Sequence, residues 1–236
     1  MSEFFSRLTN FSFLPKYAPY FIKGLECTLI ISVLAVFAAI LPAMLLALMR
    51  LSKNKVLRGI SGAYISIFRS TPMLVQLYIV YFGPFGVINL PSYKLFGFID
   101  TAMLIPGVIA LALNSSAYVA EIIRAGILAV DQGQAEAARC LGLTQGQAMR
   151  YVVLPQAIKN IIPTLAKERD TMLKESPIVG YLGVQDLMWG TRTTVGATFI
   201  PLSPYVLAAA IYFCINYPAG KAIELLERRM RRGDVR

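Results

Sequence analysis

The chain has 236 residues, of which 56% are hydrophobic and only 15% charged, whereas soluble domains carry roughly 25% charged residues. The net charge is nevertheless +10, from 23 Lys and Arg against 13 Asp and Glu. A soluble nucleic-acid binder of that charge is excluded by the apolar content, and an integral membrane protein is indicated. Histidine is absent, which removes His-based acid–base chemistry, Ser-His and Cys-His dyads and most metal sites. The three cysteines, Cys27, Cys140 and Cys214, are far apart and in no ligand spacing, so neither a disulfide framework nor a metal site is expected.

A membrane-spanning helix needs about 20 apolar residues, and five stretches qualify or nearly do. The first runs from Cys27 to Met49 without a charge, and the second from Ile60 to Phe82, interrupted only by Arg69. The third covers Thr101 to about Val130, with Glu121 and Arg124 late in it. The fourth, from Leu154, is weakest in hydropathy because it contains Lys159, Lys167, Glu168, Arg169, Asp170, Lys174 and Glu175. The fifth runs from about Leu202 to Ala222. The aromatic residues between positions 78 and 98 have the character of an interfacial belt.

Loop charge sets the orientation. The segment from Arg50 to Arg58 holds four cations and no anion, and the tail at Arg228, Arg229, Arg231 and Arg232 is similarly basic. The opposite segments hold only Arg7, Lys16, Lys94 and Arg192. By the positive-inside rule both basic clusters face the cytoplasm, which requires an odd number of spans with the N-terminus outside. The expectation is therefore one all-α polytopic membrane domain over residues 1–236, with five transmembrane helices.

Between the third and fourth spans the chain becomes polar and helix-prone, from about 131 to 151. Ala and Gln favour helix there and Gly142 breaks it, so two short helices joined by a tight bend are predicted. Ala137, Ala138 and Leu141 form a narrow apolar strip flanked by Glu136 and Arg139. A bilayer-resting helix would have large apolar residues and many lysines. This one is shaped instead for another protein's groove.

These residues also carry a resemblance. Glu136-Ala137-Ala138, three residues, Gly142, nine residues and then Val152-Val153-Leu154-Pro155 resembles the EAA motif of ABC-importer permeases, E-A-A-x3-G-x9-I-x-L-P, with Val152 in place of Ile. The stretch from Phe68 to Gln76 (Phe-Arg-Ser-Thr-Pro-Met-Leu-Val-Gln) is similar to the F-R-G-T-P-L-L-V-Q of the polar-amino-acid branch, the histidine, glutamine and arginine type. Asn114 to Ile127 is similar to that branch's third-span signature.

The resemblance implies a five-helix permease core, a second permease subunit that is identical or paralogous, and an extracytoplasmic solute-binding protein. It also implies a dimeric cytoplasmic ABC ATPase seated on the coupling helix, in a bacterial inner membrane. ATP and Mg would belong to that ATPase, because this chain contains no G-x4-G-K-[ST] loop. No catalytic residue, cofactor or nucleic-acid partner is expected in it. Glu136, Ala137, Ala138, Gly142, Leu154 and Pro155 are the implied ATPase-coupling residues. Intramembrane polar groups mark substrate paths, and the set expected to meet a polar amino acid is Arg69, Thr71, Gln76, Asn114, Ser115, Glu168 and Arg169. At 1.5 Å per residue, Glu168 and Asn114 each lie roughly 20 Å along their helices, near the level of Arg69 and Thr71. A secondary transporter or channel is the alternative, but the chain shows no internal repeat.

Overall fold

The computed structural model describes residues 8–231; Arg7 and Arg232, two of the cations counted above, lie outside them. Helix α1 (Leu14–Leu51) is followed by α2 (Lys55–Ser70), α3 (Met73–Phe82) and the short α4 (Pro84–Val87). A two-residue hairpin, β1 (Lys94–Leu95) against β2 (Ile99–Asp100), leads into α5 (Thr101–Leu128). Helices α6 (Gln132–Cys140) and α7 (Gln145–Ala148) form the polar segment. A π-helical turn (Met149–Val153) then continues into α8 (Leu154–Glu175). A 3-10 segment (Ser176–Leu182), α9 (Leu187–Thr198) and α10 (Ser203–Arg231) complete the order.

Membrane logic governs the packing of α1 on α5. Along α1, Cys27, Ile31, Ala35, Ala39, Ala43 and Ala47 recur every fourth residue, and all are buried. Val33, Phe37, Leu41, Met44 and Leu48 are exposed. Small residues thus face the protein and large apolar ones face outward, the distribution expected where lipid is the solvent and close backbone approach drives association. Ala110, Ala117 and Ala120 of α5 supply the complementary surface. Pro15 sits in the first turn of α1, where its missing N–H costs nothing. Asp100 caps α5 by accepting from the Ala102 N–H at 2.9 Å.

Among the described residues, three helices are long and apolar enough to cross a membrane: α1, α5 and the Ser203–Met230 part of α10. The expected second span is not continuous. It breaks after Ser70 into α2 and the α3–α4 stretch, which meet at 111° and make a fourth crossing if counted together. The cause is Pro72, which cannot donate an N–H and forces the preceding Thr71 to extended backbone (φ −114, ψ 146). Helix α8 is a regular helix packed against α5 and α10, but its charges keep it below the composition of a span.

Candidate functional site

The polar segment is built as its composition predicted. Asp131 caps α6, accepting from the Gly133 N–H. At the other end Gly142 has φ +90, a left-handed conformation that L side chains avoid. The Gly142 N–H donates to the Arg139 carbonyl at 3.0 Å and the Leu143 N–H to the Ala138 carbonyl at 3.2 Å. This pair of bonds is the Schellman ending of a helix. Helix α7 then opens with a capping box. The Thr144 hydroxyl accepts from the Gln147 N–H, and the Gln147 side chain accepts from the Thr144 N–H at 2.8 Å.

One expectation for this segment is corrected. Ala138 is buried, so the face open to a partner is Glu136, Ala137 and Leu141, the last 83% exposed. Leu154-Pro155 opens α8 with the proline in its first turn, and the π-turn joins it to the helical path that begins at Gln145. The π-turn immediately ahead of Pro155 widens the helix where the proline ring would meet the Tyr151 carbonyl. Glu136, Arg139, Cys140, Gly142 and Leu143 surround a surface concavity of about 650 Å³.

The expected substrate residues fall into three groups. Gln76, Thr71 and Asn114 form one hydrogen-bonded knot, in which Gln76 donates to the Thr71 hydroxyl at 2.8 Å and Asn114 donates to the Gln76 carbonyl oxygen at 2.8 Å. Ser115, next in the chain, donates to Glu168 Oε1 at 3.1 Å across the α5–α8 contact. Glu168 is half-buried and takes part in none of the ion pairs among the described residues. Arg69 stands apart: its guanidinium lies over the Tyr118 ring, 5.4 Å from the centroid, a cation–π contact. Both line a cavity of about 370 Å³ with Glu121, Asn160 and Thr164, between α2, α5 and α8.

Arg169 is not in this constellation. It bonds Asp170 at 3.1 Å, while Lys167 reaches Glu227 of α10 at 3.3 Å, so neither pairs with Glu168. Glu121 and Arg124 pair with each other, one turn apart on α5.

Tyr118 and Tyr64 escaped the sequence reading. The Tyr64 hydroxyl donates to the Leu113 carbonyl at 2.9 Å and meets Ser116 Oγ at 3.0 Å. Asp186 also escaped it, although an Asp just ahead of an apolar helix is a capping signal. Fully buried, it caps α9 by accepting from the Trp189 and Met188 N–H groups at 2.9 and 3.1 Å. Burial pushes its carboxyl up to about 6, against the opposing pull of those bonds and of Arg192.

An α-helical membrane core that carries a capped, exposed polar helix pair and a buried polar seam is the architecture of a transport permease. The chain belongs to the family described as "Binding-protein-dependent transport system inner membrane component", whose profile matches residues 31–232. It is 38% identical to the putative glutamine transport system permease protein GlnP of Rickettsia conorii, over 93% of this chain and 98% of that one. It is 39% identical to the arginine transport system permease protein ArtQ of Bacillus subtilis, over 92% and 94%. A crystal structure of an amino acid ABC transporter with histidines matches at TM-score 0.83 and 46% identity, covering 94% of this chain and 99% of that one. The methionine transporter MetNI, at 21% identity and TM-score 0.70, shares the fold.

Proposed function

We propose that the chain is the transmembrane permease subunit of an ABC importer for a polar amino acid or a related zwitterion, working by alternating access. The observation that carries this reading is the EAA segment. Its Glu136, Ala137 and Leu141 lie open on a helix closed by the Gly142 turn, a form suited to a groove in a cytoplasmic ATPase. That dimeric ATPase holds ATP and Mg and supplies the hydrolysis. An extracytoplasmic binding protein delivers substrate, and a second permease, identical or paralogous, completes the pathway. Five spans with the N-terminus outside place α8 in the bilayer, its Glu168 near mid-depth.

The relatives' names favour glutamine, arginine and histidine as substrates. Every α-amino acid presents an ammonium and a carboxylate. Glu168, held by Ser115 and without a cationic partner among the described residues, is the pole for the ammonium or a side-chain cation. Arg69, held over Tyr118, is the pole for the carboxylate. The alternative of a secondary transporter or channel is disfavoured by the coupling segment, which such a protein does not need.

The test is co-purification with the cytoplasmic ATPase followed by uptake into proteoliposomes. ATP-driven uptake should collapse with Glu136→Ala or Gly142→Val, while Glu168→Gln should spare ATPase binding but impair uptake by about tenfold or more, the loss expected for one charge-assisted contact. Uptake that persists without any ATPase would overturn the importer reading.

A further inference from the structure

The knot at the α2–α3 break goes beyond substrate contact. In an unbroken helix the Phe68 carbonyl would accept the backbone N–H four residues on, which is position 72, and Pro72 has none. The last carbonyls of a helix need partners from elsewhere. Here the side chains of Gln76, Thr71 and Asn114 provide them for Ile67, Phe68 and Thr71. Gln76 Nε2 donates to the Phe68 carbonyl at 2.8 Å, the Thr71 carbonyl at 3.0 Å and the Thr71 hydroxyl at 2.8 Å. The Thr71 hydroxyl in turn donates to the Ile67 carbonyl at 2.8 Å. From α5, Asn114 Nδ2 donates both to the Gln76 carbonyl oxygen at 2.8 Å and to the Phe68 carbonyl at 3.3 Å. The two amide hydrogens of Gln76 are shared among three acceptors, so it has no donor left for a ligand.

Arg69 is the residue immediately after Phe68, and Tyr118, on which it rests, is four residues after Asn114 on the same face of α5. One α5 face therefore grips the Phe68 carbonyl and, one turn on, the Arg69 guanidinium at the rim of the α2–α5–α8 cavity.

We propose that Gln76 and Asn114 are positioning residues that lock the α2–α3 elbow onto α5 and thereby hold Arg69 over that cavity. The elbow then moves with α5 as one body during transport, and the pair acts on substrate only through Arg69. The lock is read from the geometry; its consequence for uptake rests on the importer reading above.

Two measurements test it. In proteoliposomes with the ATPase, Gln76→Asn and Asn114→Gln should each reduce uptake of glutamine, arginine and histidine by a common factor of about ten, and the reciprocal double variant should recover most of the loss. Arg69 serves the carboxylate shared by all three amino acids, so their ranking should not change. A changed ranking, or a double variant whose loss is the product of the single losses, would overturn the lock and make the pair substrate contacts.

Variants that fail to fold are covered by a second readout on the otherwise intact elbow. Spin labels at the exposed Val56 of α2 and Ile79 of α3, with Cys140 and Cys214 replaced by Ser, should give the same narrow distance in nucleotide-free and ATP-loaded transporter. A shift between those states would show an elbow that flexes and would sink the proposal. Failure of the importer reading looks different: the wild type itself would show no ATP-driven uptake, while the label distance could still be read in the permease alone.

Discussion

Asp186 shows how much one buried side chain can set. It lies in the segment read as facing outside, where it caps α9 beside Gly24 of α1; a Cβ on Gly24 would come within 2.8 Å of the Asp186 carbonyl oxygen. Gly180 packs on the carboxyl itself, where a Cβ would come within 2.6 Å of Oδ1, and burial raises the carboxyl pKa from 3.8 to about 6. The sign follows from linkage: the native state holds the proton more tightly than the unfolded chain, so this group stabilises the fold at low pH. That contribution is lost as pH rises from about 4 to 6 and is on the order of 3 kcal/mol in all. Asp186→Asn keeps a capping oxygen and removes the titration. Thermal unfolding should show the wild type losing stability relative to Asp186→Asn across that interval, with a constant difference above it; parallel curves throughout would refute the assignment.

Among the elements, the α6–α7 pair is the clearest case of local chemistry specifying local structure. A Schellman ending and a capping box stand three residues apart, and between them they satisfy the backbone groups that two helix ends would leave bare. Thr144→Ala removes one half of the box and should cost about 1 kcal/mol. Hydrogen exchange at Gln145 to Gln147 should speed up by several-fold while the amides of α5 keep their protection. If exchange at α7 were unchanged, its stability would come from the π-turn and α8 rather than from the cap. Helix α8 shows the opposite principle: Lys167, Arg169 and Asp170 each find a charged partner brought by packing or by the next residue, whereas among the described residues Glu168 has only the Ser115 hydroxyl.

For the whole molecule, the proposed topology puts the basic segments on the same side of the membrane as the EAA segment. The α1–α2 connection and the end of α10 are basic, and the large apolar side chains of α1 point outward. Native cysteines make this arrangement measurable, because Cys140 is exposed on the EAA segment while Cys27 is buried in the core. In a Cys214→Ser background, a membrane-impermeant maleimide should label Cys140 in inside-out vesicles and not in right-side-out vesicles. The reverse pattern would invert the proposed topology. Helix α10 leaves Phe213 and Tyr217 exposed, a surface available to lipid or to the second permease.

Much of this was legible in the order of residues. Hydropathy marked α1, α5 and α10, because a bilayer leaves a helix little alternative to long apolar runs. The EAA spacing, Gly142 and the Asp131 cap are local codes, and they were realised as local structure. The break at Thr71-Pro72 was also local, yet the apolar content on both sides concealed it. What the sequence alone determined is therefore the family, the spans of clear hydropathy and the local form of the EAA segment, all of which depend on neighbours along the chain. The tertiary structure decided which polar residues are already committed. Gln76 and Asn114 are 38 residues apart and spend their amides on each other and on the helix end that Pro72 left open. Ser115 and Glu168, 53 residues apart, meet without a cation among the described residues. A polar residue's availability to substrate depends on partners brought in from distant helices, and only packing supplies those.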